Sequence, residues 1–201
     1  MVGYAVTATF RSAQPASASE QVVKLFESKP HFDRIVSPRV VVIQDLDDPQ
    51  GGAVYGEIMV RLFKALGCVG LVTDGYGRDI HQIAGIGFPC FTAGICATHA
   101  NGRILSLNHP VTVGGVNIHP GDMIHGDANG VTTIPHAVAD RVAMNCQDYV
   151  EAEEELMNAI TPIDLEKGRV SEALKHFGKQ LDMIRARMRT EENFQPPTGL
   201  V

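Results

Sequence analysis

Residues 40–79 read VVVIQDLDDPQGGAVYGEIMVRLFKALGCVGLVTDGYGRD, and this stretch decides the fold. Val40 to Gln44 is a continuous apolar run, suited to a strand buried on both faces. Asp45 to Gly52 is acidic and rich in turn formers, hence a loop after that strand. In Gly56 to Leu66 the residues Ile58, Met59, Leu62, Phe63 and Leu66 fall on one helical face, and Gly67 ends the helix. Val69 to Thr73 reads as a second buried strand, and Asp74 to Asp79 as a tight, glycine-bearing turn. Ile80 to Ala84 then starts a short helix and Phe88 to Phe91 a brief strand. The order β-loop-α-β-loop-α-β implies an α/β fold with parallel strands and right-handed crossovers.

Outward from this centre, Tyr4 to Phe10 alternates and is β-branched, so it reads as a strand. Gln14 to Ser19 reads as a loop and Gln21 to Ser28 as a short helix. From Val111 a β-meander is expected. VTVGGVNIHPGD supplies two strands, and Met123–His125 and Val131–Ile134 two more. Pro135 to Arg189 reads as a helical C-terminal tail with a break at Thr161-Pro162. Such a tail is long for a domain of this size and suited to packing on a neighbouring subunit.

The chain has 201 residues, 44% hydrophobic and 20% charged, with 17 basic against 23 acidic residues and a net charge of −6. This composition excludes disordered, collagen-like and coiled-coil chains. The acidic excess speaks against nucleic acid as partner, since a duplex binder carries basic residues to neutralise phosphates. No apolar run reaches the roughly 18 residues of a membrane span, and no secretory signal is seen at the N-terminus. Cys68, Cys90, Cys96 and Cys146 form no C-x-x-C pair, so they read as packing thiols of a cytoplasmic protein.

Two loops carry the chemistry, each at the end of a buried strand, the usual ligand position in open α/β sheets. The first enters a helix at Gly56-Glu57, where the free N–H groups of Glu57, Ile58 and Met59 make an anion site. The second offers Arg78 and Asp79 side by side. Arginine pairs with a carboxylate or polarises a carbonyl, and aspartate suits a hard cation such as Mg2+ (or Mn2+), which needs only one or two protein carboxylates. Together these parts fit a small α-keto acid, with the amides on its carboxylate, the ion on carboxylate and keto oxygens, and Arg78 on enolate charge. The bland alternative is solvated charges on a surface turn. His31, His81, His99, His109, His119, His125, His136 and His176 show no metal-binding spacing. His81 reads as a surface residue.

Gly56-Glu57, twenty residues, then Arg78-Asp79 resembles the signature of the RraA-like family, which includes class II pyruvate aldolases acting on 4-hydroxy-4-methyl-2-oxoglutarate and 4-carboxy-4-hydroxy-2-oxoadipate. The resemblance continues through Gly3–Phe10, Val72–Asp79, Pro110–Asp122 (PVTVGGVNIHPGD) and Gly126–Pro135 (GDANGVTTIP). It implies a swivelling β/β/α domain over residues 1–157, a helical extension over 158–201, and a homotrimer or homohexamer with inter-subunit active sites. By the same resemblance Asp79 would be the metal ligand. Arg78 would contact the keto oxygen, and the helix start Gly56 to Met59 would bind the pyruvyl carboxylate. Glu57 would hold a metal-bound water and assist proton transfer. An acid from a neighbour's C-terminal helix, among Glu151, Glu153, Glu154 and Glu155, would complete the site.

The chain departs from the family pattern at Val54, where the first glycine would fall, and at Asn129, where an acid is usual. The family's N-terminal helical segment is absent from the sequence. The function implied is a divalent-metal-dependent lyase that releases pyruvate from 4-hydroxy-2-oxo acids, decarboxylates oxaloacetate, or both, through a metal-bound pyruvate enolate. The alternatives are a non-catalytic regulator that binds RNase E and an inactive paralogue.

Overall fold

The apolar run at Val40 lies in the middle of a sheet. The computed structural model describes residues 1–13, 15, 17, 22–160 and 167–189. Strand β1 (Val2–Arg11) runs parallel to β2 (Arg39–Asp45), with Tyr4 opposite Arg39 and Phe10 opposite Asp45. Three more strands follow in the chain, β3 (Ala53–Tyr55), β4 (Cys68–Thr73) and β5 (Tyr76–Gly77). Next come β6 (Cys90–Phe91), β7 (Gly94–Ile95) and β8 (Arg103–Leu107). The main sheet continues from β2 to β4 and β6, both parallel. The other edge of β1 is shared. Its first half pairs antiparallel with β11 (Met123–Asp127), its second half with β8. Strand β12 (Gly130–Ile134) pairs with β11.

Val40, Val41, Val42 and Ile43 are all buried, as a strand covered on both sides requires. Alternation sends them to two cores. Val41 and Ile43 join Val6, Ala8 and Leu71 beneath three helices: α1 (Lys29–Phe32) through Phe32, α2 (Glu57–Ala65) through Val60 and Phe63, and α3 (Ile80–Ile86) through Ile83. The Phe32 and Phe63 rings stack with centroids 6.2 Å apart. Val40 and Val42 join Ala5, Val72 and Ile124 beneath a hairpin of β9 (Val111–Val113) and β10 (Val116–Ile118). Each buried valine, leucine, isoleucine or phenylalanine among them contributes about 1.5–3 kcal/mol relative to exposure.

Several expectations are corrected. Ile58 is 74% exposed, not part of the core face. The buried stripe of α2 is centred between Val60 and Phe63, and Ile58 lies roughly 170° from that centre at about 100° per residue. The segment expected as one β-meander forms two separate hairpins, β9–β10 apart from the main sheet and β11–β12 within it. The helix expected over Gln21–Ser28 is a single 3-10 turn, Leu25–Glu27, followed by α1. Cys68 is buried, which pushes its thiol up to about 12, but Cys146 is exposed. Gly67 does end α2, with a left-handed φ of 78°.

By packing, the chain divides into two units, residues 1–135 and 136–201. The second holds α4 (His136–Ile160) and α5 (Lys167–Met188), which pack on each other around Ala152 and Ile184. Arg187 pairs with Asp148 and Gln180 with Glu155, so the two helices run antiparallel. The expected break at Thr161-Pro162 and the loop at Gln14–Ser19 lie wholly or mostly outside the described residues. No helix among the described residues is long and apolar enough to cross a membrane.

Candidate active site

A small second sheet brings the two loops together. Strands β3, β5 and β7 are parallel, and Tyr55 lies opposite Gly77. The residues that follow, Gly56 and Arg78, therefore leave the sheet side by side, and the Arg78 N–H donates to the Tyr55 carbonyl at 3.2 Å. Asp79 takes the left-handed conformation, φ 60° and ψ 36°, which only two described non-glycine residues adopt. Its carbonyl accepts from Ile83 and starts α3, but its carboxylate does not cap that helix. Instead Oδ2 accepts the Glu57 N–H at 3.0 Å, at the first turn of α2. A carboxylate there meets the positive end of the helix dipole.

Gly56 is the N-cap of α2 in extended backbone, φ −152°. What demands glycine is space, since a Cβ would stand 2.6 Å from Asp79 Oδ2 and 3.0 Å from Arg78 Nε. The structure thus brings Gly56, the Glu57 amide, Arg78 and Asp79 into contact. Val60 N–H donates to the Gly56 carbonyl, but the N–H groups of Ile58 and Met59 meet no protein acceptor among the described residues. The Glu57 side chain turns along the helix, where Arg61 Nε donates to Oε1 at 2.8 Å.

Beside the helix start lies a cavity of about 210 Å3, lined by Gly56, Ile58, Met59 and Arg78 together with Phe10, Tyr55, His99 and Ala100. It is smaller than the usual drug-sized pocket of about 300–1,000 Å3 and suits a ligand of a few carbons. His99 and the apolar floor were not among the residues expected from sequence. T-H-A-N-G reads only as loop, and no spacing marks it. A larger cavity, about 360 Å3, opens on the hairpin side of the main sheet. Its walls are mostly valine, threonine and glycine, with Asp74 the one charged residue, so it offers no counterpart to Arg78 or the helix start.

Three acids gather at the carboxyl ends of the strands. The Asp45 N–H donates to Asp74 Oδ1 at 2.8 Å. Burial pushes the carboxyl of each above the ordinary range, against weaker hydrogen bonds that lower it. Burial also acts to raise Asp47, but the N–H groups of Ala13 and Ser12 and the Arg11 guanidinium outweigh it and hold Asp47 low. Among the described residues no three His, Cys, Asp or Glu side chains cluster to hold a metal. Asp79 suits a different kind of site. No hydrogen bond among the described residues reaches its Oδ1, and Mg2+ accepts one carboxylate with waters in its other positions. Glu151, Glu153, Glu154 and Glu155 lie exposed on α4, in the second unit.

A model of the RraA-like family, described as Aldolase/RraA, matches residues 1–133. A Halalkalibacterium halodurans protein named "Putative 4-hydroxy-4-methyl-2-oxoglutarate aldolase" is 36% identical over 127 residues, which are 62% of this chain and 60% of that protein. Protein DlpA of Legionella pneumophila is 28% identical over 157 residues, 77% of this chain and 23% of its own. The chain thus spans 60% of the length of the first relative and 23% of the second, less than two thirds of either. Among solved structures, an uncharacterised Pseudomonas syringae pv. tomato protein has a TM-score of 0.64 and 25% identity, with 87% of this chain and 75% of that one covered. A Streptomyces coelicolor structure, titled an unusual member of the RNase ES inhibitor RraA protein family, has a TM-score of 0.55 at 24% identity over 77% of this chain and 74% of its own, a likeness of fold. Because the family match takes in both strand-end loops and the sheet that carries them, this chain belongs to the RraA-like family and has its α/β swivelling β/β/α fold.

Proposed function

We propose that this chain is a divalent-metal-dependent lyase that releases pyruvate from a 4-hydroxy-2-oxo acid such as 4-hydroxy-4-methyl-2-oxoglutarate, and from oxaloacetate. The observation that carries this reading is the meeting of a helix start, a guanidinium and a carboxylate within about 3 Å of where a Cβ on Gly56 would stand. Both reactions break the C3–C4 bond and leave its electron pair in an enolate of pyruvate, so one site serves both. The N–H groups of Ile58 and Met59 hold the substrate carboxylate, and Arg78 lies beside the keto oxygen and stabilises the charge that develops there. Asp79, with its free oxygen, holds Mg2+ or Mn2+, which supplies Lewis-acid polarisation of the α-keto acid when bound. The Glu57 carboxylate is steadied by Arg61 and reaches any proton transfer only by releasing that partner.

The same reading includes a homotrimer or homohexamer, a neighbour's acid from among Glu151, Glu153, Glu154 and Glu155, and a cytoplasmic location. The substrate name comes from relatives of which the chain spans only part. The test is pyruvate release from oxaloacetate with and without added Mg2+. Arg78→Ala and Asp79→Ala each lower metal-dependent turnover by about 100-fold or more, the usual loss when one preorganised oxyanion-stabilising group is removed. A regulator that binds RNase E would show no such turnover, and both substitutions would leave its binding intact.

A further inference from the structure

Aldol cleavage needs one group that oxaloacetate decarboxylation does not. In a 4-hydroxy-2-oxo acid the C4 hydroxyl must lose its proton as the C3–C4 bond breaks, so that C4 becomes a carbonyl. In oxaloacetate C4 is already a carboxylate and leaves as carbon dioxide. The helix start, Arg78 and Asp79 all gather at the keto-acid head, and none of them serves the C4 end.

His99 lines the same cavity as Arg78 and Met59. It forms a parallel bridge with Ala53, and the Ala53 N–H donates to the Thr98 carbonyl at 2.9 Å. Ala53 stands three residues before Gly56, about 10 Å along an extended strand. A substrate lying along β3 with its carboxylate at the helix start therefore extends its C4 end toward His99. The roles of the ring nitrogens follow from one contact, since Nδ1 lies 2.9 Å from the Ala100 carbonyl oxygen. A carbonyl only accepts, so Nδ1 carries the hydrogen and Nε2 of the neutral ring keeps its lone pair. Of the other ionisable residues lining the cavity, Arg78 has no lone pair to offer. The buried Tyr55 hydroxyl packs against Gly77, Cys90 and Thr92 instead, and burial pushes it well above its ordinary range.

Resting on the lyase reading above, we propose that His99 is the base that takes the C4 hydroxyl proton in aldol cleavage. Nε2 accepts that proton, the C4–O bond becomes a carbonyl, and the C3–C4 electron pair passes into the enolate. The imidazolium then returns the proton to C3, so that 4-hydroxy-4-methyl-2-oxoglutarate gives two molecules of pyruvate with nothing else consumed.

The test compares two substrates on the full chain with Mg2+, 4-hydroxy-4-methyl-2-oxoglutarate and oxaloacetate. His99→Asn keeps an amide N–H for the Ala100 carbonyl but has no basic nitrogen. The ratio of cleavage to decarboxylation is expected to fall by about 100-fold or more, the lower range of general-base contributions. His99→Ala lowers the same ratio, and added imidazole restores its cleavage by about tenfold, which a packing role would not allow. Residual decarboxylation reports that each variant is folded. A ratio within about threefold of wild type in both variants overturns the assignment. So does a wild-type chain that decarboxylates oxaloacetate but cleaves no 4-hydroxy acid, whereas a wild-type chain that acts on neither substrate sinks the lyase reading beneath it.

Discussion

Adding one methyl group at Gly56 should separate the parts of the site. In Gly56→Ala the new Cβ would begin 2.6 Å from Asp79 Oδ2, which must retreat by about 0.8 Å to reach the 3.4 Å where ordinary contact starts. Arg78 Nε, at 3.0 Å, must retreat by about 0.4 Å. The backbone itself resists nothing, since φ −152° is open to any residue. Arg78 is long and adapts. Asp79 is short and held by its left-handed turn, so its move breaks the hydrogen bond from the Glu57 N–H. A hydrogen bond to a charged group contributes about 1.5–3 kcal/mol, and replacing glycine by alanine at an N-cap costs a further fraction of one. We expect a loss near 2 kcal/mol, or about 4–8 °C in Tm for a chain of this size. A misplacement of about 1 Å costs roughly 100-fold in rate, so pyruvate release at saturating Mg2+ should fall by one to two orders of magnitude. Gly85→Ala in α3 is the control, because its Cβ meets nothing within 4 Å and alanine favours a helix by up to about 1 kcal/mol. A folded Gly56→Ala with turnover within about threefold of wild type would show that this convergence is not where the reaction happens.

Two neighbouring acids should respond to pH with opposite signs. Asp45 is pushed up by burial, with the negative Asp47 adding to the rise. The folded state thus keeps its proton after the unfolded chain has lost it near the ordinary carboxylate value of 3.8, and stability falls as pH climbs from there through the folded value. Asp45→Asn should therefore raise the urea midpoint at pH 7 and give little gain at pH 3. Asp47 is held low despite burial, so its contribution is present above the unfolded value of 3.8 and is lost as pH falls through its folded value. Asp47→Asn should cost about 1.5–3 kcal/mol at pH 7 and progressively less in acid, by the same denaturation measurement.

Much of the frame was legible because it is written in long periodic runs. The apolar Val40–Ile43 could only be a strand buried twice over, and Gly67 marked the end of α2. What escaped the sequence was short. Strands β3, β5 and β7 have two or three residues each, fewer than any alternation needs to show itself, and their partners lie some twenty residues away. The position of Ile58 was misread because the helical face was centred on the wrong residue. The pairing of Glu57 with Arg61 was readable, since an acid four residues before an arginine on a helix is a standing pattern. His99 carried no signal at all, because a cavity wall built from a loop has no period.

The site depends most on those unreadable strands. Register in the small sheet sets Gly56 beside Arg78, and the left-handed turn at Asp79 then points a carboxylate at α2 and away from the helix it begins. That leaves one of three free amides taken and two open at a single helix end. A keto acid binding the open pair would put its own carboxylate beside that of Asp79. Two like charges about 5 Å apart repel by roughly 3 kcal/mol at an effective dielectric of 20, and Arg78 alone brings one positive charge against two negative ones. A cation held by Asp79 would offset that repulsion and favour binding of the anion. On the proposed lyase reading, the divalent ion would answer a cost set by the chain's own charges, by the placement of Asp79 on the same helix start that the substrate would use.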